Sequence, residues 1–527
     1  MYPGSNDVRT ISKYGFQPPL ATISKRSITV SHRPSTLGEL KKSGYQSISV
    51  KDEMRNNLIA KLKKRELLFP GIVGYEQTVI PALVNAILAR HDIILLGLRG
   101  QAKSRIVREL PSLLDEFLPV IKGSEINDDP FHPVSKYGVD LVRNEGDNTP
   151  IEWISREARF SEKLATPDVT IADLIGDIDP IKAATQRLHY SHEGAIHFGL
   201  IPRANRGIFA INELPDLQPR IQVGLFNILE EKDIQIRGFN IRFPLDVALI
   251  FTANPEDYTN RGNIVTPLKD RIDSQILTHY PRTLDDAIAI TAQEAWVKRN
   301  GIAVEIPRYF REIIEHIAFE ARKSEFVDQK SGVSARLTIA AMENLASNIE
   351  RRAILLGETK AVARLCDLPH VLPGLTGKLE LVFEGEQEGS TKVSRALISK
   401  AVRRVFTSYF PDPLKKRTRR HDQPEESEYA PAIQWFESGN VVEIGDELSG
   451  KEYLRILNQV PGLHQIVQHY LPAEAQSPAT LGPAMEFVLD GLHQNSKLAR
   501  EDGDHVTHYK DMVGSIFTGQ SAEELEE

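Results

Sequence analysis

The stretch that most limits what this chain can fold into is 91–105, His-Asp-Ile-Ile-Leu-Leu-Gly-Leu-Arg-Gly-Gln-Ala-Lys-Ser-Arg. Ile93 to Leu96 form a short unbroken apolar run that enters a glycine turn, so they read as a strand buried on both faces. Gly97, Gly100, Lys103 and Ser104 follow, and Ile106-Val107-Arg108-Glu109-Leu110 then reads as a helix. Strand, glycine-bearing loop, Lys-Ser and helix is the order a phosphate cradle needs. Backbone N–H groups face the anion, the lysine reaches the β and γ oxygens, and the serine hydroxyl binds Mg²⁺. The expected cofactors are ATP and Mg²⁺, held by Gly97, Leu98, Arg99, Gly100, Gln101, Ala102, Lys103, Ser104 and Arg105. One position departs from the usual G-x-x-x-x-G-K-[ST] form: Ala102 stands where the last glycine would be, adding only a methyl to a tight loop. On its own the motif also fits a chance glycine turn before an ordinary helix, so the weight falls on the elements that follow.

At 527 residues the chain has room for roughly three domains. Residues 1–35 are polar, and Leu37, Leu40, Met54, Leu58, Ile59 and Leu62 recur at helical spacing, so 1–60 reads as an extension carrying amphipathic helices. Phe69-Pro-Gly-Ile-Val-Gly74 is a turn-rich entry, and Val79 to Leu88 reads as the helix before the loop strand. Residues 61–283 are expected to form an α/β nucleotide-binding core with a parallel sheet. Its length between Lys103 and Glu213 implies inserted hairpins, one running through Leu188 to Leu200, and Ile234 to Phe243 separately resembles a hairpin. Residues 284–415 are helical in pattern and read as a lid, 416–428 as a charged linker of adjacent basic and acidic blocks, and 429–527 as a further, helical domain. Glu384 to Ser390 reads as a solvated loop.

Two more apolar strands end in polar residues. Gly207-Ile-Phe-Ala-Ile-Asn-Glu213 places Glu213 to orient or deprotonate an attacking water, and Asp246-Val-Ala-Leu-Ile-Phe-Thr-Ala-Asn254 places Asn254 to hydrogen-bond that water or the γ-phosphate. Arg271, after Thr266-Pro-Leu-Lys-Asp270, is expected to project into a neighbouring subunit's nucleotide. Arg336, at the start of a lid helix, is expected to touch the phosphates from above. Each has a plainer reading: a helix-terminal acid for Glu213, an Asn-Pro turn for Asn254, a surface pair with Asp270 or Asp273 for Arg271, an exposed helix arginine for Arg336. Their arrival in sequence order argues for function.

With those elements in place, residues ~69–345 resemble an AAA+ ATPase of the helix-2-insert group, which holds the magnesium chelatase ATPase subunit and the MoxR-type ATPases. Gly-x-x-Gly-x-Ala-Lys-Ser is similar to the MoxR phosphate loop, and Ile175-Gly-Asp-Ile-Asp179 with Arg203 to Glu213 looks like the chelatase insert and its following strand. Pro267-Leu-Lys-Asp-Arg271 is similar to the segment carrying the arginine that acts in trans. The resemblance implies a ring, typically hexameric, that turns hydrolysis into remodelling of a protein client or adaptor, the latter possibly bearing a separate integrin-type domain; no Asp-x-Ser-x-Ser metal signature of such a domain occurs in this chain. It also implies aspartate where this chain has Asn212, which would hold the Mg²⁺ shell through water. Asparagine keeps an oxygen acceptor without the charge, so weak Mg²⁺ binding and slow hydrolysis are expected.

Two other classes compete. A sigma-54-type transcription activator carries Gly-Ala-Phe-Thr-Gly-Ala where this chain reads Gly194-Ala-Ile-His-Phe-Gly199. A nucleotide-gated scaffold with little turnover fits Asn212. A net charge of −8 gives no general pull toward nucleic acid, no run of ~18 apolar residues suggests a membrane span, and the single Cys366 excludes an internal disulfide. A cytoplasmic location without membrane partners is expected.

Overall fold

The computed structural model describes residues 33–185, 193–236, 242–254, 263–414, 427–503 and 506–512. The strands of the first half are β1 (Ile93–Leu96), β2 (Phe117–Ile121), β3 (Ile151–Ser155), β4 (Phe160–Leu164), β5 (Gly176–Ile178), β6 (Ile196–Phe198), β7 (Gly207–Asn212), β8 (Asp233–Gln235), β9 (Arg242–Pro244), β10 (Val247–Ala253) and β11 (Ser274–Leu277). Five of them form one sheet in the order β11-β1-β10-β7-β4, and every neighbouring pair is parallel. Alternate residues feed two cores. Ile94, Leu96, Phe209, Ile211, Leu249 and Phe251 enter one, while Ile93, Leu95, Ile208, Ala210, Ala248 and Ile250 enter the other. Both faces are covered, which is why these strands are continuous apolar runs rather than alternating ones.

The expected inserts are present as antiparallel pairs: β2 with β3, β5 with β6, and β8 with β9. Parts of two expected hairpins, residues 186–192 and 237–241, lie outside the described residues, as does most of the charged run 416–428. The helix Val79–Leu88 falls where its apolar spacing places it.

Residues 33–63 belong to the core more closely than an extension would. The helix Val50–Lys63 is capped by the Ser49 hydroxyl and buries Val50, Met54 and Leu58 in the same core as Ile93 and Leu95. Its Glu53 forms a forked ion pair with Arg159, at 2.7 and 2.6 Å, and both side chains are buried. Arg159 also donates to the Arg206 carbonyl, so its charged group is satisfied in the interior. Asp92, buried at the start of β1, accepts from Lys51, Lys232 and the Leu249 N–H, tying this helix, the β8–β9 hairpin and β10 to one carboxylate.

The lid is helical, as its pattern implies, with helices Leu284–Glu294, Arg308–Ala321, Arg336–Leu356 and Ser390–Tyr409 and a small parallel pair, β12 (Ala303–Glu305) with β13 (Lys360–Val362). The stretch expected as a loop near Glu384 is the helix Phe383–Glu388, broken by Gly389 at φ +86° before the next helix starts. The C-terminal region has the expected helices, including the long buried Pro478–Gln494, but also an antiparallel sheet of β14 (Val442–Gly445), β15 (Ala499–Asp502) and β16 (Val506–Lys510). It does not have a core of its own. One apolar cluster runs from Ile306 and Phe310 of the lid through Phe406 to Phe487 and Tyr509. Among the described residues, no helix is long and apolar enough to cross a membrane.

Two outcomes test this packing. Glu53→Gln leaves the Arg159 charge buried without its counter-ion, and its denaturant unfolding is expected to show a loss of about 3–5 kcal/mol. Glu315, in the lid and hydrogen-bonded by Thr291, has its carboxyl pushed by burial from 4.5 up to about 7. Because the folded state holds that proton longer than the unfolded state does, its stabilising contribution is complete below pH 4.5 and disappears as pH rises through about 7. Glu315→Gln should flatten this decline when wild type and variant are unfolded across that range.

Candidate nucleotide site

In a parallel sheet the carboxyl ends of all strands lie at one edge, and this edge collects the polar residues singled out above. Leu96 of β1 is level with Ala253 of β10 and Leu277 of β11, so Gly97, Asn254 and Thr278 leave the sheet side by side. Gly97 has no room for a side chain: a Cβ would collide with Thr278 Oγ1 and Gln101 Oε1. Thr278 donates to Gln101 at 2.8 Å, and the Tyr75 hydroxyl donates to the Gln101 carbonyl at 2.9 Å, so buried Gln101 shapes the loop from within. Gly100 has φ +76°, and a Cβ there would strike Ser334 of the lid.

Ala102 is left-handed, with φ +56° and ψ +16°. This is the region glycine enters freely and other L-residues occupy at a cost of roughly 1–2 kcal/mol. The departure from the motif is therefore a matter of backbone strain more than of methyl volume. Lys103, 7% exposed, folds back over the loop, donating to the carbonyls of Gly97 and, at 3.1 Å, Leu98. Ser104 is exposed on the first turn of the following helix.

Arg99 and Arg105, expected at the phosphates, are bonded to the lid instead. Arg99 donates to Glu380 and to the Gly332 carbonyl, and Arg105 pairs with Glu294, so both arginines fasten the loop to the lid. Gln293 of the same lid helix donates to the Gly71 carbonyl, which brings the turn-rich entry beside the loop helix. Arg336 begins its helix next to Ser334 and Ala335, the two residues that crowd Gly100, and is exposed there.

Glu213 follows β7 with φ +55° and ψ +53°, a second strained position at the same edge. Its N–H donates to Thr252 Oγ1 at 3.2 Å, and that hydroxyl donates to Asn212 Oδ1 at 3.2 Å. The Asn212 amide in turn donates to Glu162 Oε2 at 3.4 Å, and Glu162 is forked by Arg108 of the loop helix. Sequence reading found neither Thr252 nor Glu162: the first sits inside an apolar strand, the second 50 residues before the asparagine it meets. Ser104 after the loop and Glu213 with Asn212 at the end of β7 carry oxygens of the kind Mg²⁺ accepts together with phosphates and water. Among the described residues no group of three or more His, Cys, Asp and Glu is placed to hold a metal ion.

Arg271 does not reach this edge. It ends the helix Thr266–Arg271 ahead of β11, whose first residue bonds to the Asp92 carbonyl at the amino end of β1. The four residues of β11 lie between it and Thr278, a rise of roughly 13 Å along the strand. Its partner is neither Asp270 nor Asp273 but Glu230, at 2.7 Å, and its guanidinium lies over the Phe226 ring.

The sheet order, the loop after β1, and the lid packed against that loop give this part of the chain the form of an α/β P-loop core of the AAA+ type. A model of the sigma-54 interaction domain matches residues 189–275, from the second insert strand through β11. Among solved structures, NtrX from Brucella abortus is 15% identical with a TM-score of 0.31, matching 55% of this chain and about half, 53%, of its own. The BchI–BchD complex of magnesium chelatase gives 20% identity, 67% and 96% coverage and a TM-score of 0.31. A Cytophaga hutchinsonii chain assigned as an ATPase gives 15%, 69% and 98% coverage and 0.28. The class rests on the fold, the loop and the family match, not on these distant likenesses.

Because the backbone at Ala102 is left-handed, Ala102→Gly is expected to hold or raise stability, by up to about 1 kcal/mol, in urea unfolding. A loss of about that size, the usual effect of glycine in ordered backbone, would contradict it.

Proposed function

We propose that this protein is a Mg²⁺-dependent ATP hydrolase that works as a homo-oligomeric ring, hexameric in type, and remodels a partner protein. The observation that carries the reading is the convergence of Lys103, Glu213 and Asn254 at the ends of three adjacent strands beneath a lid. In this reading the loop and Lys103 hold the phosphates, and Ser104 and Asn212, the latter through water, face Mg²⁺. The metal, when bound, screens phosphate charge. Glu213 orients and deprotonates a water whose oxygen bonds to the γ-phosphorus as the bond to the ADP oxygen breaks, and Asn254 steadies that water. Arg336 meets the phosphates from the lid.

Arg271 serves the neighbouring subunit's nucleotide. Its position at the amino edge, away from its own loop, supports action in trans and hence an assembly. The β5–β6 insert and the Ala102–Lys103–Ser104 loop favour the chelatase and MoxR branch, with a client protein or an adaptor that carries an integrin-type domain. Cytoplasmic work without a membrane partner or nucleic acid completes the reading.

The sigma-54 match favours a second reading, a transcription activator. Against it, Ile196–Phe198 are paired in β6 and Phe198 is buried edge-on against Phe243, so the segment that would contact a sigma factor is engaged in packing. A scaffold that binds ATP with little turnover is the reading that Asn212 would favour.

Steady-state ATPase activity across protein concentration separates these. Activity that rises cooperatively and falls at least a hundredfold in Glu213→Gln and in Arg271→Ala is expected. Nucleotide binding without turnover in the wild type would leave the scaffold, and unchanged ATP affinity in Lys103→Ala would remove the site altogether.

A further inference from the structure

A cavity of about 740 Å³ opens in the lid, between the helix Leu284–Glu294, β12 and the helices Arg308–Ala321 and Arg336–Leu356. Much of its wall is apolar, from Ile288, Val297, Ile302, Val304, Ile306 and Met342. Of the charged side chains that line it, Lys298, Arg299 and Arg311 are basic and Glu315 alone is acidic. Arg299 stands apart from the others. Its side chain is 3% exposed, and its Nη2 donates to the Ser347 hydroxyl at 2.9 Å and to the Glu343 carbonyl at 3.4 Å. Glu350 lies 3.2 Å from Nε and balances the charge, yet neither Nε nor Nη1 has a hydrogen-bond partner, and both are closed off from solvent. Folded chains seldom bury donors without an acceptor, and a guanidinium satisfies its donors best on a carboxylate. The Trp296 ring covers this guanidinium, with its centroid 3.9 Å from the central carbon, and the ring is itself 68% exposed. The backbone beneath it is held by the Trp296 N–H donating to Glu343 at 3.0 Å, so the ring can turn while the chain stays in place.

We propose that this cavity binds an amphipathic carboxylate of the medium-chain fatty acid kind. Trp296 swings aside, the carboxylate accepts from Nη1 of Arg299, and the alkyl chain lies against Ile288, Ile302, Val304 and Met342. The apolar wall gives the chain its contact area, and the three basic side chains favour an anion over a neutral or cationic head. The site is distinct from the phosphate loop but one helix away from it. Ile288 and Thr291 of the helix Leu284–Glu294 line the cavity, while Gln293 and Glu294 of the same helix hold the Gly71 carbonyl and Arg105. A ligand that shifts this helix therefore shifts two anchors of the loop.

The test titrates the full chain with sodium octanoate, below its micelle-forming concentration, and follows tryptophan emission, so it needs neither nucleotide nor turnover. The tryptophans are Trp153, Trp296 and Trp435, and Trp296→Phe is expected to abolish the change. Octanol keeps the chain without the carboxylate, and acetate keeps the carboxylate without the chain. Each should bind at least about tenfold more weakly than octanoate. Arg299→Gln should weaken octanoate binding by a similar factor. Ala292→Phe fills the cavity from an exposed position on the helix Leu284–Glu294 and leaves Arg299 untouched. It should weaken octanoate as well, which keeps the proposal testable if the buried arginine variant does not fold. The absence of a saturable change with octanoate overturns the proposal, and so does octanol binding as tightly. An emission change that survives Trp296→Phe, or unaltered octanoate affinity in Ala292→Phe or in a folded Arg299→Gln, overturns it too.

Discussion

The site depends on β1 being hydrogen-bonded on both flanks and covered on both faces. In that position β1 carries only apolar side chains, and the polar groups of the loop are delivered at its end. Gly97 is where this constraint becomes sharpest. The loop leaves the sheet against Thr278 and Gln101 with no space for a Cβ, and that tight exit turns the chain back on itself so that Lys103 covers the carbonyls it has just passed. Ala102 and Glu213, on the loop after β1 and at the end of β7, both hold left-handed backbones that neither residue type would choose alone.

Around that exit the electrostatics are built from pairs that cross elements. Arg99 and Arg105 reach the lid, Arg108 reaches β4, and Asp92 gathers two lysines beneath β1. The loop and its helix are thus fastened to the lid and to β4. The Glu213–Thr252–Asn212–Glu162–Arg108 chain of hydrogen bonds runs from the end of β7 to the loop helix, so the group that would handle water and the segment that would handle phosphate share one network.

Much of the core was legible in the sequence because its signals are local. Ile93–Leu96, Gly207–Asn212 and Val247–Ala253 are apolar runs with polar ends, and the helix Val79–Leu88 follows its own spacing. What escaped was non-local or unmarked by residue type. Glycine and asparagine advertise a left-handed backbone, whereas alanine and glutamate do not, so Ala102 and Glu213 gave no warning. Glu162 is one acid among 72 acidic residues until β4 pairs with β7. The C-terminal sheet is built from strands of four and five residues, too short to read, and its shared core with the lid involves apolar residues more than a hundred positions apart.

That shared core has a mechanical meaning. Because Phe310, Phe406 and Phe487 pack in one continuous interior, no seam divides the lid from the C-terminal region, and parting the two would open that interior to water. Arg99 and Arg105 hold this body through Glu380 and Glu294. The β14–β16–β15 sheet belongs to it as well, with Tyr509 of β16 in the same core. A displacement that reached the lid through those two ion pairs would meet no apolar joint at which to yield before the sheet.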